Sequence, residues 1–324
     1  MPKPPLSPVF IQQHVLDHPA LAAGAAAGLS AACARVSPKF FYDALGSRLF
    51  DAITELDEYY PTRTEAAIFA SHGAAITAAA LSATGPSPAL IDLGAGNCAK
   101  AARLFAALAP RRYVAVDISV DFLRQALAGL QREHTALPMV GLGQDFSARL
   151  DLPPELLDGP ALVFYPGSSI GNFAPEDALR LLREARLAAG GGALLIGVDL
   201  VKPLSLLEPA YDDALGVTAA FNLNLLNHLN RLLGADFALR GWQHLAFFNA
   251  AESRIEMHLS ARAACTVRWP GAERHFAAGE RIHTENSAKW APEAFEALLR
   301  QSGFGKVQRW TDGQGWFGVF LATD

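Results

Sequence analysis

The apolar rhythm of the chain changes twice. Residues 1–80 read mostly as helices, with helical spacing of apolar side chains over Ser30–Arg35 and Ser47–Leu56. From residue 89 onward, short apolar runs alternate with amphipathic stretches. Ala89–Leu93, Tyr113–Asp117, Met139–Leu142, Ala161–Tyr165 and Ala193–Val201 predict strands, and Cys98–Ala109, Val120–Glu133 and Pro175–Ala189 predict helices. Such alternation implies a parallel sheet covered by helices on both faces. The rhythm then changes again. Leu204–Leu233 reads as one long helical stretch containing Asn222, Asn224, Asn227 and Asn230. Strand-like runs follow at Trp242–Phe248, Arg254–Ser260 and Cys265–Arg268, and Pro292–Gln301 is helical. The last two strands, Lys306–Thr311 and Trp316–Ala322, flank Asp312-Gly-Gln-Gly315 and predict an antiparallel hairpin.

Composition narrows the function. With 324 residues and 51% hydrophobic content, the chain can fill one large or two joined cores. A net charge of −5 without a basic block argues against a nucleic-acid partner. Met1-Pro-Lys-Pro-Pro carries no apolar leader, and the alanine-rich stretch Leu21–Ala34 is broken by Gly24 and Gly28, so no membrane segment is expected. Cys33, Cys98 and Cys265 are odd in number and lack metal-ligand spacing, which fits reduced thiols in the cytoplasm and no metal centre.

The strongest local signal is Ile91-Asp-Leu-Gly-Ala-Gly-Asn-Cys-Ala-Lys100, a strand end, a glycine turn and a helix start. Gly94 and Gly96 let a cofactor approach the backbone, and Asp117, at the tip of the next strand, can accept hydrogen bonds from ribose hydroxyls. The G-x-G-x-x-A spacing also fits NAD, so an oxidoreductase stays open at this point. Asp92 before the glycines, Lys100 in the first helical turn and Asp145-Phe146 after the third strand favour S-adenosylmethionine instead. Lys100 can pair with the methionyl carboxylate, while Asp145 and Phe146 flank the adenine. A parallel sheet ending in an antiparallel hairpin is also the habit of class I methyltransferases.

Seven ordered blocks make the chain resemble the histidine-specific, S-adenosylmethionine-dependent methyltransferases of ergothioneine biosynthesis, which form the trimethyl betaine hercynine. They are Pro38-Lys-Phe-Phe-Tyr-Asp-Ala-Leu-Gly46, Leu49-Phe50-Asp51, Glu58-Tyr-Tyr-Pro-Thr-Arg-Thr-Glu65, Gly167-Ser-Ser-Ile-Gly-Asn172, the run from Tyr211 to Asn222, Arg254-Ile-Glu-Met257, and Thr284-Glu-Asn-Ser-Ala-Lys289. The resemblance implies an α/β fold: a class I, Rossmann-like methyltransferase sheet over 62–200 and 288–324, plus an inserted α+β substrate-binding domain from 1–61 and 201–287. It implies cofactor contacts from Gly94, Gly96, Lys100, Asp117, Asp145 and Phe146. It assigns the amino-acid substrate to Tyr59, Asn172, Tyr211, Met257, Glu285 and Ser287, and places Tyr42 and Phe50 near the reacting amine as positioning groups, with no general base. Glu285 and Ser287 would bracket an imidazole, and Tyr211 and Asn172 would hold the carboxylate. The chain departs from the family pattern at Ala95-Gly-Asn-Cys-Ala99 and at Tyr165-Pro166, which keeps another amino acid or an aromatic amine open as acceptor. His228, His258 and His283 receive no catalytic role, since nothing in the sequence pairs them with an acid. The expected protein is a cytoplasmic monomer acting on a small amino acid.

Overall fold

A computed structural model describes residues 6–12 and 18–324. Met1–Pro5, expected to carry no apolar leader, lies outside the described residues. In chain order the elements are β1 (Val9–Gln12), α1 (His18–Ser30), α2 (Ala44–Thr54), α3 (Tyr60–Thr84), β2 (Ala89–Leu93), α4 (Ala99–Ala102), α5 (Phe105–Leu108), β3 (Arg112–Asp117), α6 (Val120–Glu133) and β4 (Met139–Gly143). They continue with β5 (Ala161–Tyr165), α7 (Pro175–Ala189), β6 (Ala193–Asp199), α8 (Leu204–Leu207), α9 (Val217–Leu233), β7 (Trp242–Asn249), β8 (Arg254–Ala261) and β9 (Cys265–Trp269). The last are β10 (Ala272–Phe276), β11 (Arg281–Ala288), α10 (Pro292–Gln301), β12 (Lys306–Thr311) and β13 (Phe317–Thr323).

The chain divides into two compact units. The first contains Pro61–Val201, Lys289–Asp324 and strand β1. Its eight-stranded sheet runs β1-β4-β3-β2-β5-β6-β13-β12. The strands from β1 to β6 are parallel, and β13 runs antiparallel to both β6 and β12. Strands β2, β4, β5 and β6 are buried along their whole length because each face carries its own apolar layer. Ala89, Ile91 and Leu93 of β2 pack with residues of α7 and α10, whereas Leu90 packs with Ile68 of α3 and Leu123 of α6. The first 80 residues are therefore not only helical: β1 adds a parallel edge strand beside β4. By length and composition α3 is apolar enough to cross a bilayer. Here its Ile68 and Ile76 are buried in the sheet unit's core, and it carries the buried Glu65.

The second unit contains the described residues of 18–60 and Lys202–Ala288. It holds the antiparallel sheet β11-β8-β7 and the separate hairpin β9-β10, with α1, α2, α8 and α9. Three expectations are corrected. Ser30–Arg35 is not helical: α1 ends at Ser30 and the chain folds back so that the Arg35 N–H reaches the Gly28 carbonyl at 3.1 Å. A Cβ on Gly28 would lie 2.4 Å from the Arg35 carbonyl oxygen, so this return needs glycine. Leu204–Leu233 is two helices, because Gly216 takes a φ of +76° and the Asp213 carboxylate caps α9 by accepting from the N–H groups of Val217 and Thr218 at 3.0 and 2.7 Å. Cys98–Ala109 is likewise two short helices, tightened at Leu104, whose N–H reaches back only to Ala101.

Candidate active site

In the sheet unit, the glycine turn leaves the carboxyl end of β2. Gly94 and Gly96 have φ of +68° and +52°, a conformation glycine adopts without a Cβ clash. The Gly96 N–H donates to Asp117 Oδ2 at 2.9 Å and the Ser119 N–H to Oδ1 at 2.8 Å, so the tip of β3 is locked to the turn. Burial raises the Asp117 pKa against the pull of those N–H groups. A carboxylate has further lone pairs, so Asp117 keeps acceptor capacity for ribose hydroxyls. Asp145 Oδ1 accepts from the Ser147 N–H at 3.0 Å. Phe146 stands edge-on to Tyr165 with ring centroids 5.9 Å apart and lies in van der Waals range of the Gly94 Cβ position. Gly94, Phe146 and Tyr165 thus meet, which explains what an aromatic before Pro166 does. The Gln144 amide beside them is buried, and neither its oxygen nor its nitrogen has a partner among the described residues. An orphaned buried amide next to the glycine turn, Asp145 and Phe146 suits a purine edge, which offers both donors and acceptors.

Asp92, which precedes the glycines in β2, is a core residue. It is 1% exposed, and its Oδ2 accepts from the Tyr113 hydroxyl at 2.7 Å. Burial pushes its carboxyl up to about 7, offset in part by that hydrogen bond. Cys98 is buried, and burial with the Asp92 charge lifts its thiol to about 12, so it is no nucleophile. Lys100 Nζ lies 2.6 Å from Glu65 Oε2. Asn172 ends the helical turn Ser169–Asn172 after β5 and is half-buried. Lys289 of the last family-like block pairs with Asp199 at 2.8 Å, both fully buried.

The second unit gathers seven of the expected residues. Tyr42 meets Phe50 at 5.8 Å between centroids, Phe50 meets Tyr59 at 6.2 Å, and Tyr59 meets Tyr211 at 6.3 Å. The Tyr211 and Ser287 hydroxyls are 2.7 Å apart, so the two positions share a hydrogen bond. Met257 lies directly opposite Glu285 in the β8–β11 ladder. Tyr59, Tyr211, Met257, Glu285 and Ser287 are buried, while Tyr42 and Phe50 are partly exposed.

A β-bulge sets which side of the sheet these residues face. His283 pairs with His258, yet Glu285, two residues on, pairs with Met257, with Thr284 as the extra residue. Directly opposed residues share a face, so the bulge carries Glu285 and Ser287 to the Met257 side and leaves His283 on the His258 side. Thr284 donates its hydroxyl to the Met257 carbonyl at 3.0 Å, which satisfies the ladder where it is interrupted.

Two further residues hold Tyr211. The Asn222 amide donates to the His258 carbonyl at 3.0 Å and contacts His244 Nδ1 at 2.8 Å. His244 Nε2 reaches the Tyr211 carbonyl at 2.8 Å. Donation from Asn222 places the imidazole proton on Nε2, aimed at Tyr211, and burial lowers the His244 pKa to keep the ring neutral. Phe221 stacks on Phe41 at 4.5 Å and supports Tyr42 and Phe50. The Tyr211–Asn222 block contained Phe221 and Asn222, but only the folded contacts reveal their work.

The opposite face of the same sheet carries Glu256, His258 and His283, whose donor atoms lie within 4.8 Å of one another. His258 does have an acid partner: its Nε2 lies 3.0 Å from Glu256 Oε2. Burial would raise the Glu256 carboxyl, but hydrogen bonds from Asn249, Arg254 and His258 hold it at about 2. Arg254 makes two contacts of 2.8 and 2.9 Å to Glu256 Oε1, so this carboxylate already serves a cation. His283 Nε2 bonds Asn286 Oδ1 at 2.9 Å. The donor set is that of an ion-pair lattice, turned away from Glu285 and Ser287.

Comparison with known proteins follows the same lines. A family model described as "Histidine-specific methyltransferase, SAM-dependent" matches residues 21–324. A histidine N-alpha-methyltransferase of Mycolicibacterium smegmatis is 44% identical over 91% of this chain and 92% of its own length. One from Mycobacterium tuberculosis is 39% identical over 94% of this chain and 95% of its own. Ergothioneine biosynthesis protein 1 of Neurospora crassa is 30% identical over 84% of this chain but only 31% of its own length.

Proposed function

Because the chain belongs to the histidine-specific, S-adenosylmethionine-dependent methyltransferase family, we infer that it is an L-histidine Nα-methyltransferase. It transfers methyl groups from S-adenosylmethionine to the α-amino nitrogen of histidine, and its fold is that of a class I methyltransferase. Three successive transfers give the trimethyl betaine hercynine, the reaction that ergothioneine formation requires. The sulfonium supplies the electrophilic methyl; the chain's own residues bind and orient the amine, which attacks in its neutral form.

The observation that carries this reading is the joining of Tyr211 to Ser287 beside Glu285. Glu285 accepts from one imidazole N–H, and Ser287 bonds the other ring nitrogen while its hydroxyl is oriented by Tyr211. A substrate with an apolar ring would leave the buried Glu285 carboxylate without that partner, at about 1–3 kcal/mol. Tyr211 and Asn172 hold the α-carboxylate, and Tyr59 orients the amine. Tyr42 and Phe50 face the methylated nitrogen, which loses its donors with each transfer and gains about 0.5–2 kcal/mol from aromatic faces. Met257 closes the ring's apolar side. The cofactor residues are Gly94, Gly96, Lys100, Asp117, Asp145 and Phe146. The three cysteines are free, in keeping with a cytoplasmic protein, and we take the working form to be a monomer.

The test is incubation with S-adenosylmethionine and each of the twenty amino acids, read by mass spectrometry. Mono-, di- and trimethylhistidine are expected. A product from another amino acid, with none from histidine, would overturn the acceptor assignment.

A further inference from the structure

Glu65 ends the third of the seven family-like blocks, and neither the substrate residues nor the cofactor residues named above include it. It sits near the start of α3 and is 2% exposed. Its Oε2 lies 2.6 Å from Lys100 Nζ, and its Oε1 accepts the Gly167 N–H at 2.8 Å. The sheet leaves space for it: a Cβ on Gly197 of β6 would fall 2.1 Å from Oε1. Gly167, at φ +79°, also leaves room for the lysine, since a Cβ there would stand 3.0 Å from Nζ.

The location matters as much as the contacts. Lys100 follows β2 and Gly167 follows β5, and these strands are neighbours in the sheet. The helices after them pack on opposite faces, α5 with the layer of Leu90 and α7 with the layer of Ile91. The strand order therefore reverses between β2 and β5, and ligands of open α/β sheets bind at the carboxyl ends flanking such a reversal. A buried acid and a basic group, 35% exposed, stand side by side at that point.

We propose that Glu65 and Lys100 together form a clamp for the zwitterionic end of S-adenosylmethionine. Lys100 pairs with the methionyl carboxylate, and Glu65 accepts from the α-ammonium through lone pairs that Gly167 and Lys100 leave unused. One acid and one base set side by side match the one cation and one anion of an α-amino acid. The proposal rests on the methyl-donor assignment above and adds to it a residue that reads the donor's amine.

The experiment is calorimetric titration of the wild-type chain and of Glu65→Gln with three ligands. They are S-adenosylhomocysteine, its deaminated analogue, which keeps the carboxylate, and methylthioadenosine, which has neither group. In the wild type, removing the amine should weaken binding by about ten- to a hundredfold, the strength of a charge-assisted hydrogen bond. Glu65→Gln should weaken S-adenosylhomocysteine by a similar factor while leaving the deaminated analogue and methylthioadenosine within about twofold. A wild-type chain indifferent to loss of the amine would overturn the clamp without any variant. Equal weakening of all three ligands by Glu65→Gln would also overturn it, since that is how a purely structural acid behaves. Failure of the wild type to bind S-adenosylhomocysteine at all would instead overturn the methyl-donor reading beneath it.

Discussion

The two faces of the β7–β8–β11 sheet are built from the same strands and do opposite things. On one face Glu256, Arg254, Asn249 and His258 join in one lattice, and His283 is tied to Asn286. On the other, Met257, Glu285 and Ser287 stand together, and Ser287 is joined to Tyr211 from a separate loop. The first face uses charge to hold strands in place. The second uses that rigidity to present a carboxylate and a hydroxyl at fixed positions. Alternation along β8 keeps the two sets apart, and the Thr284 bulge does the same along β11. A binding face stays specific when its supporting charges are satisfied elsewhere.

The largest effect should come from inserting an alanine between Met257 and His258. The insertion gives Thr284 a partner and restores strict pairing, which carries Glu285 and Ser287 to the His258 side or shifts the strand. Histidine methylation should vanish while S-adenosylhomocysteine still binds by calorimetry. Retained histidine turnover would show that the bulge does not set the face. Next is Glu285→Ala, which should lower kcat/KM for histidine by about ten- to a hundredfold and leave cofactor affinity unchanged. Arg254→Met, on the charged face, should cost about 1–3 kcal/mol in denaturant unfolding with histidine kinetics almost unmoved. A larger change in KM than in stability would mean that the two faces are not separate. The smallest effect concerns acid. Glu256 is held at about 2, below its unfolded value, so its stabilisation is present above about pH 4.5 and is lost as pH falls toward 2. Glu256→Gln should flatten that part of the melting-temperature profile.

Legibility in the sequence followed the range of the interactions involved. Helices α6, α7 and α10 begin and end where their apolar spacing predicts, because amphipathic pattern and prolines at the starts of α7 and α10 are local. The core strands were equally plain as continuous apolar runs. Strand β1 was not, since four residues at an edge carry little pattern and their pairing with β4 is over a hundred positions away in the chain. The glycine turn, Asp117 and Phe146 were readable from spacing. Glu285 and Ser287 were named through a family resemblance, and their common face was expected from alternation. The bulge beside them was invisible, because a bulge exists only relative to the partner strand. Glu65, His244 and Asn222 escaped for the same reason: each acts through a residue distant in sequence.

Asp92 has a consequence beyond its own hydrogen bond. Its carboxyl titrates near 7 in the fold and near 4 in an unfolded chain. Between these values the native protein holds a proton that the unfolded chain has released, so folding takes up a proton and stability falls as pH rises through this window. The sheet unit thus works at neutral pH with one buried acid poised between its two charge states. The loss runs from about pH 4 to about pH 7 and then levels off, and the Asp92→Asn protein should lack this contribution. The difference in proton uptake on refolding near pH 5.5 between the wild type and Asp92→Asn, measured in a weakly buffered solution, is the signature of that carboxyl, since Asp117 and the buried histidines also exchange protons on folding.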